Sequence, residues 1–245
     1  MRPMTPHLST PELSVVVPMH NESGNAAALV REIATACADI DHEILAVDDA
    51  STDDTLAELQ SAKEDIPQLR ILSHTDNAGQ SRAVRSGVLA AKSDTIATLD
   101  GDGQNPPSEI PKLYAHLKET GVALVGGERQ KRQDSPTKLL ASRIGNGVRR
   151  RLLHDTANDT GCGLKVFDRD AFLRLPYFDH IHRYLPALMI REGYRIDFLP
   201  VAHRAREHGA SKYTNLGRLK VSIADLRGVR WLNKRARLPG EVREL

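Results

Sequence analysis

Asp94–Pro107 reads DTIATLDGDGQNPP, and this stretch decides the fold that we predict for the chain. Its first six residues, Asp94–Leu99, indicate an apolar strand that runs directly into Asp100. The proline at 107 and Ser108 are typical of a helix start, and they open a predicted helix that ends at Thr120. A strand followed at this interval by a helix is the repeating unit of a parallel α/β sheet.

The same alternation extends to both sides of this stretch. Apolar runs predict further strands at Leu13–Pro18, Glu43–Val47, Leu69–Leu72, Val122–Val125, Leu164–Phe167 and Ile196–Val201. Helical spacing predicts helices at Asn25–Ala38, Asp53–Lys63, Gly79–Ala91, Lys138–Leu153, His182–Gly193 and Asn215–Leu232, with another beginning at Asp168. These elements predict an α/β fold with a doubly wound, mostly parallel sheet and a basic helix near the C-terminal end.

Acidic or amide residues follow three of the predicted strands. They are Asn21-Glu22, Asp48-Asp49 and the pair Asp100 and Asp102. Open α/β sheets bind ligands beyond the carboxyl ends of their strands, so we expect the three clusters to form one site.

Asp100, Asp102 and Gln104 offer two carboxylates and an amide at alternate positions. Hard divalent cations prefer oxygen ligands, and Mg²⁺ usually takes one or two carboxylates plus substrate phosphates. A calcium loop of the EF-hand type is excluded, because Asn105 and Pro111 stand where that loop needs Gly and Glu. A lone D-x-D also forms turns, but its position directly after a strand favours a site for Mg²⁺ or Mn²⁺ with a diphosphate.

Several other classes of protein are disfavoured. The residues after the first strand, MHNESGN, contain no glycine-rich phosphate fingerprint, which disfavours a dinucleotide-binding oxidoreductase, and no P-loop is present. The two cysteines, Cys37 and Cys162, match no metal or redox spacing. No apolar run reaches about 18 residues, and the first residues lack the apolar core of a secretory signal. We therefore expect a cytoplasmic protein.

Charge is distributed unevenly along the chain. Residues 202–245 contain 11 Lys/Arg and 4 Asp/Glu, a net charge of +7, whereas the other 201 residues carry 23 and 28, a net charge of −5. A basic segment on a nearly neutral body indicates an anionic partner, although a solvated basic helix has the same composition.

Ordered motifs in the chain resemble the inverting family 2 glycosyltransferases. They are Val16-Val17-Pro18 with Asn21-Glu22, Val47–Asp53, Asn77–Gly79 and Asp100–Pro107. Two further segments, Asp159–Gly163 and Arg206–Tyr213, are similar to the polyprenyl-phosphate group of that family, which includes dolichol-phosphate mannosyltransferases. The second segment carries one extra residue, His208, relative to the commonest spacing of bacterial members, and the transmembrane helices of many bacterial relatives are absent.

The resemblance implies a GT-A fold, a Rossmann-like doubly wound mixed sheet, over residues 12–204, with a basic acceptor loop and an amphipathic helix over residues 205–245. It implies inverting transfer of a sugar from a nucleotide-sugar donor to a polyprenyl phosphate, with Mg²⁺ or Mn²⁺. The implied metal ligands are Asp100, Asp102 and Gln104. The implied nucleoside pocket is lined by Pro18, His20, Glu22, Val47 and Asp49, and Gly101 lies in the donor site. Arg129, Arg206 and Lys212 face donor or acceptor phosphates.

The acceptor decides which side chains the reaction needs. A sugar hydroxyl needs a carboxylate base, whereas a phosphate, with a second pKa of about 6, is already ionised and needs cations to overcome repulsion. Asp159, the best carboxylate outside the metal cluster, either orients an Arg or Lys or forms an Asx-turn. With Asp102, Arg206 and Lys212, it completes the implied catalytic set.

Two alternatives to this function stay open. One is a family 2 transferase that acts on a hydroxyl acceptor of a polysaccharide or glycolipid. The other is a nucleotide-sugar-binding scaffold for a membrane partner. Nucleic-acid binding is disfavoured by 4% aromatic residues and by the lack of a recognition motif.

The last predicted helix carries one apolar stripe with basic residues around it. The stripe comprises Leu216, Leu219, Ile223, Leu226 and Val229. Helices of this kind lie in membrane interfaces, so we expect the stripe to dock on an anionic membrane or a membrane-protein partner. Packing of the stripe on the catalytic domain is the alternative. We therefore expect a peripheral protein on the inner face of the membrane, and a homo-oligomer is possible.

Overall fold

The computed structural model of the chain describes residues 10–130, 147, 149–153, 155, 157, 159–204, 215–238 and 243, without the side chains of 215–221. Within this part the strands are β1 (Leu13–Met19), β2 (His42–Asp48), β3 (Leu69–Ser73), β4 (Thr95–Thr98), β5 (Leu124–Arg129), β6 (Lys165–Asp168) and β7 (Ile196–Val201). The helices are α1 (Ala26–Ala36), α2 (Thr55–Asp65), α3 (Gln80–Ala90), α4 (Ile110–Thr120), α5 (Arg169–Arg174), α6 (Leu185–Arg191) and α7 (Asn215–Arg235). Short 3₁₀ helices cover Pro107–Glu109 and Ile181–Arg183.

The strands form one mixed sheet in the order β3-β2-β1-β4-β6-β5-β7. All neighbouring strands are parallel except at β6, which runs antiparallel between β4 and β5. Thr98 at the end of β4 pairs with Lys165 at the start of β6. The segment that precedes β6 therefore enters the sheet at the edge where the parallel strands end.

Helices cover both faces of the sheet, as the doubly wound prediction requires. Alternate residues of a strand point to opposite faces. In β1, Val15 and Val17 belong to the core under α1, α2 and α4, whereas Val16 belongs to the core under α3, α5 and α6. Strands buried on both faces are continuously apolar, which explains the near-continuous apolar run of β1.

The structure shifts several predicted boundaries. β1 continues through Pro18 to Met19, because β4 pairs only as far as Val16 and a strand with one unpaired side tolerates proline. The helix expected from the proline at 107 begins with a 3₁₀ turn, and the one expected at His182–Gly193 is divided at Tyr184. Of the predicted helix Lys138–Leu153, only residues 147 and 149–153 lie within the described part, and they are helical.

Leu226 and Val229, the last two residues of the apolar stripe on α7, pack on the body of the protein, which corrects the expectation that the whole stripe docks on a membrane. Val229 is 1% exposed and belongs to the same core as α3 and α6, and Leu226 packs against that core. The Tyr184 hydroxyl donates to the Ser222 carbonyl, and His180 lies 3.1 Å from Asp225. The side chains of Leu216 and Leu219 lie outside the described part.

None of the helices in the described ranges combines the length and apolar character that a bilayer crossing requires. The division between residues 12–204 and 205–245 stays a prediction.

Gly87 lies where α3 packs most closely on β1, and a Cβ there would overlap the Val16 side chain. We expect Gly87→Ala to lower the free energy of unfolding by about 1–3 kcal/mol, the usual cost of overpacking, in urea unfolding followed by circular dichroism. Gly228→Ala in α7 is the matched control, because a Cβ there meets no atom within 4 Å. Alanine also favours a helix interior by about 1 kcal/mol, so equal losses in both variants would contradict this packing.

Candidate active site

The loops after β1 and β2 are joined by reciprocal hydrogen bonds. The Asn21 N–H donates to Ser51 Oγ over 2.9 Å, and the Thr52 N–H donates to Asn21 Oδ1 over 2.8 Å. His20 Nδ1 donates to the Asp49 carbonyl over 2.8 Å. Asn21 and Ala50 both adopt the left-handed conformation, with φ of 54° and 55°, so each loop turns sharply at the strand end. The first two predicted clusters therefore lie together.

Asp49 holds the loop that precedes α3. Its carboxylate accepts the N–H groups of Ala78 and Gly79 over 2.9 and 2.8 Å, and His74 Nδ1 lies 2.7 Å from Oδ1. The side chain is almost fully buried. These contacts connect Asn77-Ala78-Gly79 to the acidic cluster, and a contact between Asp49 and a nucleobase stays a prediction.

The D-x-D loop lies against the end of β1 and against α3. A Cβ on Gly101 would stand 2.9 Å from the Pro18 carbonyl oxygen and 3.5 Å from Glu22 Cγ. Gln80 Nε2, at the start of α3, donates to Asp100 Oδ1 over 2.7 Å. The third cluster therefore lies beside the first, as the strand-end placement predicts.

Like charges face each other within the D-x-D loop. Burial raises the pKa of Asp100, and the neighbouring charge of Asp102 raises it further, while Lys165, Arg129 and a hydrogen bond from Gln80 oppose the shift. The Gln104 N–H donates to Asp102 Oδ1 over 3.2 Å, which closes the loop. Burial and the second carboxylate therefore disfavour the charged form of Asp100, and the nearby cations offset this only in part.

Arg129 and Asp159 form a bidentate ion pair next to this loop. Arg129 Nε and Nη2 donate to the two carboxylate oxygens over 2.7 and 2.8 Å, and both side chains are largely buried. Burial opposes the charge of Arg129, but the hydrogen bonds and charge of Asp159 outweigh it and raise the arginine pKa. Of the two roles expected for Asp159, its contacts match the orientation of an arginine.

Lys165 is a functional candidate that the sequence did not reveal. It is 5% exposed at the start of β6, and its Nζ donates to the Cys162 carbonyl. Burial lowers the pKa of Lys165, while Cys162, Asp100 and Asp159 raise it. In the sequence it stands in the strand run LKVF, where a lysine gives no signal, and only the pairing of β6 with β4 brings it to the site.

The other predicted site residues differ in exposure, and two of them lie outside the described part of the chain. Val47 is fully buried in the core against α3, so its side chain cannot line an open nucleoside pocket. Pro18 is buried too, whereas His20 and Glu22 are partly exposed. Arg206 and Lys212 lie outside the described residues.

The D-x-D residues fit a divalent cation that takes its other ligands from a substrate. In the described ranges, no group of three or more His, Cys, Asp and Glu side chains is arranged to hold a metal ion. Asp100 and Asp102 supply two carboxylates, and Mg²⁺ is commonly held by one or two carboxylates plus substrate phosphates and water. The donor set of two carboxylates matches that mode of binding.

Gly163 lies against the Asp100 carboxylate, and a Cβ at this position would overlap that carboxylate. We expect Gly163→Ala to weaken Mn²⁺-dependent binding of a nucleoside diphosphate by about 10–100-fold, the range seen when the support of a metal ligand is lost. Isothermal titration calorimetry with and without Mn²⁺ measures this. Gly147→Ala is the control, since a Cβ there meets nothing within 4 Å. Unchanged affinity in Gly163→Ala would show that Asp100 takes no part.

The fold of the chain is shared with solved glycosyltransferases. A glucosyl-3-phosphoglycerate synthase from Mycobacterium tuberculosis, solved with Mn²⁺, UDP-glucose and phosphoglyceric acid, superposes with a TM-score of 0.66 at 19% identity, over 94% of this chain and 82% of that chain. A mannosyltransferase from Pyrobaculum calidifontis, solved with GDP-mannose and Mn²⁺, gives 0.64 at 18% identity, over 93% and 65%. These are GT-A enzymes, so the predicted GT-A fold is confirmed.

Curated relatives are more similar in sequence. The chain is 34% identical to a dodecaprenyl-phosphate galacturonate synthase of Rhizobium johnstonii, over 94% of this chain and 69% of the relative. It is 34% identical to an undecaprenyl-phosphate 4-deoxy-4-formamido-L-arabinose transferase of Sodalis glossinidius, over 86% and 65%. The chain thus spans about two thirds of the length of these relatives. Residues 14–175 match the family Glycosyl transferase family 2, and the chain belongs to that family.

Proposed function

We propose that the chain transfers a sugar from a nucleotide-sugar donor to a polyprenyl phosphate with inversion at the sugar carbon. Family membership and the names of the similar proteins support the reaction class. The ion pair of Arg129 with Asp159 is the observation that favours a phosphate acceptor over a hydroxyl acceptor. It occupies Asp159, the carboxylate that would otherwise be the candidate base.

A hydroxyl acceptor would need a carboxylate that is available to take a proton. Asp159 accepts hydrogen bonds from the backbone N–H, Nε and Nη2 of Arg129, which occupy both carboxylate oxygens and fix their orientation. A lipid phosphate is already ionised and needs no such base. It needs cations instead, and Arg129 lies at the site, while Arg206 and Lys212 are proposed to join it from the basic loop.

The donor lies, in this proposal, across the ends of β1, β2 and β4. His20 and Glu22 contact the nucleoside, and the backbone of Pro18 and Gly101 forms the floor where the two loops meet. The donor's diphosphate lies at Asp100, Asp102 and Gln104. A divalent cation held there would neutralise the charge that develops on the leaving diphosphate. Arg129 and Lys165 add fixed positive charge beside it, which costs no reorganisation during the reaction.

Matched acceptors test this proposal. The protein is incubated with Mn²⁺, a panel of nucleotide sugars and either a short polyprenyl phosphate or the corresponding polyprenol, and products are identified by mass spectrometry. We expect product from the phosphate alone. Transfer to the polyprenol at a comparable rate would favour the hydroxyl-acceptor alternative, and donor binding without any transfer would favour the scaffold.

Asp102→Asn should lower the rate of transfer by about 10²-fold or more, because it removes half of the charge that holds the leaving diphosphate's cation. The measurement is turnover of the polyprenyl phosphate at saturating donor over a range of Mn²⁺ concentrations. Asp94→Asn is the control, since this exposed aspartate lies just before β4, at the opposite edge of the sheet. An unchanged dependence on Mn²⁺ in Asp102→Asn would remove Asp102 from the site.

We also propose that the exposed face of α7 docks on an anionic membrane, where the lipid acceptor is found. This face points away from Leu226 and Val229, the packed members of the apolar stripe. It carries Ile223 and Trp231, 43% and 59% exposed, with the exposed cations Arg227, Arg230, Lys234 and Arg235. Leu238, 58% exposed, follows the helix. Apolar and basic side chains mixed on one face are typical of interfacial helices.

Trp231 is the one tryptophan of the chain, so its fluorescence reports on this face alone. We expect the emission to shift to shorter wavelength on mixing with vesicles that contain phosphatidylglycerol, because the indole leaves water for the interface. Vesicles of pure phosphatidylcholine are the control and should cause little shift at the same lipid concentration. A spectrum that anionic vesicles leave unchanged would contradict docking through α7.

A further inference from the structure

A cleft of about 200 Å³ separates α7 from the helical segment 149–153. The residues that line it are Arg151, Leu152, Arg230, Asn233 and Lys234. Three of the five are cations, and none is a carboxylate. A volume of this size equals that of roughly six or seven water molecules at about 30 Å³ each. The cleft is therefore large enough for a phosphate group together with a small polar substituent.

The three cations of the cleft have no anionic partner in the described part of the chain. No ion pair or hydrogen bond there satisfies Arg151, Arg230 or Lys234. The neighbouring Arg149 differs, since its guanidinium is buried and pairs with Asp155 over 3.0 Å. Arg149 is thus neutralised by Asp155, whereas Arg151, Arg230 and Lys234 line an open space without a carboxylate among them. Such a set of like charges favours an anion between them.

Asn233 joins the two walls of the cleft by a hydrogen bond, and its side-chain oxygen is a buried polar atom. Its Nδ2 donates to the Leu153 carbonyl over 3.3 Å, which joins α7 to the other wall. Its Oδ1 is buried and has no hydrogen-bond partner in the described ranges. A buried acceptor without a donor is costly, so the hydrogen bonding of this junction between the two walls is incomplete.

We infer that the cleft binds the phosphate headgroup of an anionic phospholipid and so fixes the position of the enzyme on the membrane. This inference rests on the proposed docking of α7. Arg230 and Lys234 line the cleft and also lie on the exposed face of α7 that carries Ile223 and Trp231. A soluble anion or a nucleic acid would use the charges but would leave these apolar side chains in water. A lipid uses both, with the phosphate in the cleft and the acyl chains beside the indole.

Binding to vesicles tests the inference on the full chain. Partition is measured by co-sedimentation with vesicles of phosphatidylcholine that contain phosphatidylglycerol, at moderate salt. Loss of one charge near an anionic surface lowers partition by about fivefold. We expect Arg230→Ala and Lys234→Ala each to lower it by about tenfold or more, because each also loses a direct contact with the phosphate. Arg227→Ala is the control, since this exposed arginine of α7 does not line the cleft, and it should cost at most fivefold.

Equal losses in all three variants would overturn the inference, because the surface would then act only through diffuse charge. Vesicle binding that Arg230→Ala leaves unchanged would also overturn it. Inorganic phosphate and a single-stranded oligonucleotide are tested as competitors. Displacement of vesicles by low millimolar phosphate, or by equimolar oligonucleotide, would assign the cleft to a soluble anion.

Circular dichroism and transfer to a short, water-soluble prenyl phosphate should be the same in every variant. A variant that loses vesicle binding but keeps transfer is defective in docking alone. A protein that shows no transfer at all would instead contradict the proposed reaction.

Discussion

Opposite charges gathered at the carboxyl ends of β4 and β5 and at the start of β6 are the constraint on which the rest of the site depends. Arg129 and Lys165 supply the positive charges, and Asp100 and Asp159 supply the negative ones. A buried charge costs several kcal/mol unless it is paired, so each group depends on the others for its charged form. These neighbours oppose the burial and the Asp102 charge that raise the pKa of Asp100, and so they support the two carboxylates that a divalent cation and a diphosphate require.

The antiparallel strand β6 makes this arrangement possible. Because β6 runs against β4 and β5, the residues that lead into it arrive at the edge of the sheet where all parallel strands end. That direction places Asp159 beside Arg129, Gly163 against Asp100, and Lys165 behind both. A strand inserted in parallel would have brought its first residues to the opposite edge, away from the donor site. The one reversal in the sheet thus brings Asp159, Gly163 and Lys165 to the D-x-D loop.

Sequence patterns predicted the alternating elements and the three strand-end clusters, because apolar periodicity and acidic residues are local signals. They could not predict what Asp49 and Lys165 contact. Asp49 resembles a ligand-binding residue, but its oxygens hold the backbone of residues 78 and 79, which lie far along the chain. Lys165 depends on strand pairing. The stripe on α7 was assigned to a membrane because a helix with an apolar face has the same pattern whether it covers a core or a bilayer. Only the burial of Val229 decides between the two for the second half of that stripe.

The central claim is that the acceptor enters as an ionised phosphate and that no protein carboxylate acts as its base. The dependence of kcat/KM on pH for a polyprenyl phosphate and for its phosphonate analogue, whose second pKa is higher, tests this most directly. We expect a rise in kcat/KM near pH 6 for the phosphate, since its second pKa is about 6, and the same rise at higher pH for the phosphonate. A rise at one pH for both acceptors would show that a group of the protein, rather than the acceptor, must ionise, and would contradict the account.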